Sequence, residues 1–151
     1  MNFDDVRDLY QDVILRHGRN PLHMGRLEKF DASSFGDNPM CGDRCEVFLR
    51  YGTDGQVEKI GFEARGCAIS MASADLMAES ATQRTPDEIR ALASDFFNLV
   101  RTGETPSQDR AIARLRPLSG VAEYPSRVKC ATLPWAALLA AMNGDTEATS
   151  E

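Results

Sequence analysis

A chain of 151 residues, 42% of them hydrophobic, can bury one core without disulfide staples, and its formal net charge of −6 argues against nucleic acid or an anionic membrane as main partner. Met1 to Arg16 carries four aspartates and two arginines with no apolar run or small-residue cleavage site, so it does not read as a secretory signal, and the apolar stretch Ala131 to Met142 is too short to span a bilayer. The expectation is a cytoplasmic protein whose four cysteines are reduced, metal-bound or reactive rather than paired in structural disulfides.

Phe3, Val6, Leu9, Val13 and Ile14 recur at helical spacing until Gly18 and Pro21, which predicts an amphipathic first helix with Asp4, Asp5, Asp8 and Asp12 on its solvated face. Asp31 to Pro39 is rich in Asp, Ser, Gly, Asn and Pro, and is expected to be a loop that leaves Cys41 on mobile backbone. Alternation from Cys45 to Tyr51, a turn at Gly52-Thr53-Asp54-Gly55 and a second strand from Val57 to Ala64 predict a β-hairpin. Ala68 to Ala81, dense in Ala, Met and Leu, predicts a helix with Met71 and Met77 in the core, so that Cys67 lies at a strand-to-helix junction. Thr85-Pro86-Asp87-Glu88 is a helix start with a capping box, for a helix ending near Gly103, and Ser107 is expected to cap a short helix reaching about Arg116. The last helix ends at Gly144. It starts either near Thr132, with Pro134 in its first turn, or at Ser126 with a bend, and both readings set Cys130 near a helix N-terminus. Strands followed by helices without regular alternation point to an α+β fold: one domain over residues 1–144, a small antiparallel sheet of about three strands packed by helices, and a disordered polar tail over 145–151.

Cys41 and Asp43 flank Gly42, Cys67 follows Gly66, and Cys130 closes Ser126-Arg127-Val128-Lys129-Cys130. Thiolates bind zinc and iron–sulfur clusters, and a carboxylate oxygen completes a tetrahedral zinc shell. Three thiolates and a carboxylate around Zn²⁺ sum to about −2, a charge that Arg127 and Lys129 are placed in sequence to offset. Gly42 and Gly66 permit tight turns and close backbone approach. Cys45 continues the apolar face of Val47 and Leu49 and is assigned to the core. His17 and His23 lie far in sequence from the cysteines, lack a helical metal-binding spacing and are assigned to capping, surface contact or local hydrogen bonding rather than to the metal.

At these residues the chain resembles the IscU/NifU-type iron–sulfur assembly proteins, and most closely their SufU branch. The resemblance covers His17 to Pro21, Asp37 to Arg44, Gly66 to Ala74 and Arg127 to Leu133. IscU proteins place a histidine before the last cysteine and a Leu-Pro-Pro-Val-Lys chaperone motif upstream. Here Lys129 and Glu123-Tyr124-Pro125-Ser126-Arg127-Val128-Lys129 stand instead, and the segment between Cys67 and Cys130 resembles the SufU insertion. The resemblance implies a compact α+β fold and a zinc ion on Cys41, Asp43, Cys67 and Cys130, with a [2Fe–2S] scaffold as the alternative. It also implies a SufS-type cysteine desulfurase as partner, with downstream Suf proteins receiving the sulfur. A desulfurase histidine would take a place on the zinc, freeing Cys41 to attack the persulfide, with Arg127 as a weaker docking candidate.

Overall fold

The computed structural model describes residues 12–39 and 42–149, and the part of the predicted first helix before Asp12 lies outside them, as does Cys41. Four strands, β1 (Ala32–Asn38), β2 (Asp43–Tyr51), β3 (Val57–Arg65) and β4 (Glu147–Thr149), form one sheet in the order β3-β2-β1-β4. The hairpin of β2 and β3 is the predicted one. Gly55 takes a left-handed φ of 83°, and the Asp54 carboxylate accepts the Gln56 amide at 3.0 Å to close the turn.

Two expectations about strands are corrected. Residues 32–38, expected as a loop, are β1, antiparallel to β2. Their turn-prone side chains are overridden because ladders on both sides satisfy the backbone, and because bare Gly36 lets the last helix approach: a Cβ there would lie 2.9 Å from Leu133 Cδ1. Residues 147–149, expected in a disordered tail, form β4, parallel to β1, so the described sheet has four strands and is mixed rather than antiparallel with about three. The α+β class stands.

The described helices are α1 (Asp12–Arg19), α2 (Ala68–Ala81), α3 (Pro86–Thr102), α4 (Arg110–Leu115) and α5 (Pro125–Met142), with a 3₁₀ segment from Arg116 to Glu123. The capping box of α3 is formed as predicted, and Gly103 ends the helix with φ of 88°. α4 is capped by Asp109 rather than Ser107. The Asp109 carboxylate accepts the Ala111 amide at 2.9 Å, while Ser107 Oγ accepts the Asp109 amide at 3.2 Å and so supports the cap one step back. α5 begins at Pro125 and runs through Pro134, which favours the earlier of the two predicted starts and sets Cys130 in its second turn.

One face of β2, carrying Asp43, Cys45, Val47 and Leu49, is buried against the helices. α5 lies across β1 and β2 and also packs on α2 and α3, with Trp135 stacked on Phe96 of α3 at 4.7 Å between ring centroids. Burying large side chains of this kind contributes roughly 1.5–3 kcal/mol each. Among the described residues no helix is long and apolar enough to cross a membrane.

Candidate metal centre

Asp43 opens β2, and the register that pairs Arg44 with Arg65 brings it opposite Gly66, just past the end of β3. The carboxylate fills the space that a side chain would need there: a Cβ on Gly66 would lie 2.5 Å from Asp43 Oδ1. Gly66 is therefore bare to admit the carboxylate, a more specific role than the close approach to an ion that its lack of a side chain predicted. Gly42 takes a φ of 77°, and its amide donates to the Asn38 carbonyl at 2.8 Å, which turns the chain between β1 and β2.

Cys67 is the residue that precedes α2. Its amide donates to Asp43 Oδ1 at 3.1 Å, and its sulfur lies 3.9 Å from Asp43 Oδ2. Cys130 reaches the same point from the second turn of α5, with its sulfur 3.8 Å from the Ser126 carbonyl oxygen. One donor atom from each of Asp43, Cys67 and Cys130 lies within 4.8 Å of the other two. Asp43 and Cys130 are buried, and Cys67 is half-buried. Ser73 Oγ in α2 donates to the Ala131 carbonyl in α5 at 2.5 Å, tying together the two helices that carry the sulfurs.

The two sulfurs divide their protons unequally. Hydrogen bonding from Cys130, helped by the first amides of α2, at Ser70 and Ile69, lowers the Cys67 thiol to about 6 from an ordinary 9.0. Cys130 is pushed strongly up, first by its hydrogen bond to Cys67, then by burial and by the Asp43 carboxylate. Two adjacent thiolates beside a buried carboxylate repel one another, and a dication held among them would remove that repulsion. The donor set fits a thiophilic dication such as zinc.

Of the four predicted ligands the structure brings together Asp43, Cys67 and Cys130, and Cys41 lies outside the described residues. Arg127 sits half-buried in the first turn of α5, one turn ahead of Cys130, and Lys129 is exposed. Cys45 is fully buried in the core cluster, and burial pushes its thiol up to about 12, so it belongs to the core as its alternation predicted. A second group of donors was missed. His17 meets Asp75 and Glu79 of α2, so the hydrogen bonding expected of the histidine is present, on partners that sequence spacing does not reveal. A buried aspartate four residues before a glutamate, in a helix otherwise rich in Ala, Met and Leu, was the available signal.

A mixed sheet backed by helices, presenting a carboxylate from a strand and thiols from the start of α2 and from α5, defines a small α+β domain with a group of donors able to hold a metal ion. The NifU-like N terminal domain model matches residues 9–131, and the chain belongs to that family. It is 34% identical over 148 residues, covering 98% of this chain and 91% of the relative, to a Streptococcus pyogenes protein named iron-sulfur cluster assembly scaffold protein IscU. It is also 34% identical, over 91% of this chain and 92% of the relative, to the Bacillus subtilis protein named zinc-dependent sulfurtransferase SufU. A solved structure from Fervidobacterium islandicum AW-1, described as a candidate iron–sulfur cluster assembly scaffold for the SUF system, superposes with a TM-score of 0.81 at 27% identity, covering 89% of this chain and 96% of the other.

Proposed function

We propose that this protein serves iron–sulfur cluster assembly as a zinc-dependent sulfur acceptor, taking sulfur from the persulfide of a cysteine desulfurase of the SufS type. The observation that carries the reading is the convergence of Asp43, Cys67 and Cys130, buried or half-buried, with donor atoms within 4.8 Å of one another. These three, with Cys41 as the fourth, would hold the zinc. When bound, the ion supplies positive charge that keeps its sulfurs ionised.

The roles divide among the residues. Cys67 and Cys130 are fixed by α2, α5 and the Ser73 hydrogen bond, which suits anchors. Cys41 is bonded to Gly42, whose left-handed turn leads into β2, and it is the acceptor in this reading. Its thiolate attacks the outer sulfur of the desulfurase persulfide. The S–S bond of that persulfide breaks and its electron pair leaves on the desulfurase cysteine, which becomes a thiolate. The outer sulfur is then held as a persulfide on Cys41, with no net oxidant or reductant consumed. Lys129 is a poor ligand while protonated, which leaves the carboxylate of Asp43 as the non-sulfur donor, and Arg127, one turn ahead of Cys130 on α5, is the weaker candidate for docking the partner in this reading.

Cys41→Ala is expected to abolish stimulation of the desulfurase, measured as sulfide release from cysteine, and to remove the persulfide adduct found by mass spectrometry after turnover. Undiminished stimulation by the pure variant would overturn the acceptor role. Zinc without acid-labile sulfide in the isolated protein supports transfer, whereas iron with stoichiometric sulfide makes the protein a cluster scaffold.

A further inference from the structure

We propose that His17, His23, Asp75 and Glu79 form a second divalent transition-metal site, built from nitrogen and oxygen donors and separate from the cysteine site. Donor atoms of His17, Asp75 and Glu79 lie within 4.8 Å of one another. His17 Nδ1 is 2.5 Å from Asp75 Oδ2, and His23 Nε2 is 3.6 Å from Glu79 Oε1. The backbone amide of His23 donates to Asp75 Oδ1 at 2.8 Å, which orients the carboxylate so that its other oxygen faces the imidazole. Donors bound at about 2.1 Å around one ion are spaced by about 3–4 Å, so the His17–Asp75 pair must open to admit a cation, and His23 joins the group through Glu79.

The local sequence produces this arrangement. Asp75 and Glu79 are four residues apart on α2 and so share a face, and His17 and His23 approach that face from the end of α1 and the segment after it. Gly18 permits the approach, because a Cβ there would lie 3.0 Å from the Ala68 carbonyl oxygen at the start of α2. Asp75 is fully buried, as are its helix neighbours Ala74 and Leu76, and an anion at such a position requires a positive or hydrogen-bonding partner. Arg114 reaches the other oxygen of Glu79 at 3.6 Å and is half exposed, so it can withdraw to solvent. His23 and Glu79 are partly exposed and give an ion a way in. Two imidazoles and two carboxylates without sulfur suit zinc, manganese, iron(II), cobalt or nickel. Asp75 lies eight residues beyond Cys67, about 12 Å along the helix, too far for one ion to serve both groups.

The test uses the full-length protein with its cysteine site loaded with zinc, and cobalt(II) as the probe. One further equivalent of cobalt is expected to bind without releasing zinc, giving weak visible bands and no thiolate-to-cobalt charge transfer. Glu79→Gln and His23→Ala, at partly exposed positions, should each weaken that uptake at least tenfold while keeping the zinc content and the circular dichroism of the parent. No second equivalent at submillimolar cobalt would overturn the site and leave His17 and Asp75 as a hydrogen-bonded pair only. Uptake unchanged in both variants, or cobalt that appears only with thiolate charge transfer, would overturn it equally.

Discussion

Gly66 shows how one missing side chain shapes the candidate metal centre. Any larger residue pushes on the carboxylate of Asp43, whose Oδ1 lies 2.5 Å from where a Cβ would stand. Gly66→Ala is therefore expected to keep the fold but weaken zinc binding at least tenfold in competition with a chromophoric chelator. An unchanged affinity would mean that Asp43 is not a ligand. The convergence of Asp43, Cys67 and Cys130 was legible in the sequence because their ligand chemistry is rare and a glycine, Gly42 or Gly66, adjoins each of the first two. Asp75 was not, because helical periodicity treats a buried aspartate as an interruption of an apolar face, and only the fold supplies His17 and the His23 amide as its partners.

Helices were more legible than strands, since capping and proline rules act locally while a ladder is decided by its neighbours. The box at Thr85 and the stop at Gly103 follow from sequence, whereas β1 is held between its hairpin partner β2 and β4, a strand more than a hundred residues away in the chain. The miss at Ser107 has a similar cause: Asp109 is chosen because Arg84 meets it with two hydrogen bonds of 2.6 and 2.7 Å. That guanidinium, with the Ala111 amide, holds the Asp109 carboxyl at about 2, below its ordinary 3.8. A depressed value means the contribution is present above about 4 and disappears as pH falls through 2. Asp109→Ala should therefore cost about 1 kcal/mol near pH 6, a typical capping loss, since partial exposure screens the ion pair. The urea-denaturation gap between variant and parent should close as pH approaches 2, and a gap that persists there would assign the effect to packing instead.

Across the whole molecule, β4 covers the outer edge of β1, where the Phe35 amide donates to the Thr146 carbonyl at 2.9 Å. Removing residues 145 onward uncovers that edge. The expected result is a loss of about 1–2 kcal/mol in urea unfolding together with concentration-dependent self-association in gel filtration, because a bare strand recruits other chains. A truncated protein that stays monomeric and as stable as the parent would deny β4 that role. The overall class was legible from the order of predicted elements, but β4 was not, because a three-residue segment, two of whose members, Glu147 and Ala148, are weak strand formers, becomes a strand only when a partner strand is already there.

The dispersal of the metal donors along the chain has a temporal consequence. Asp43 opens β2, Cys67 precedes α2, and Cys130 belongs to the final long helix. During synthesis the first two emerge well before the third, so a nascent chain offers an incomplete cage until α5 has left the ribosome and docked. In the proposed reading, metal capture at this centre is thus a late event that coincides with completion of the core, because Cys130 joins Asp43 and Cys67 only when α5 docks.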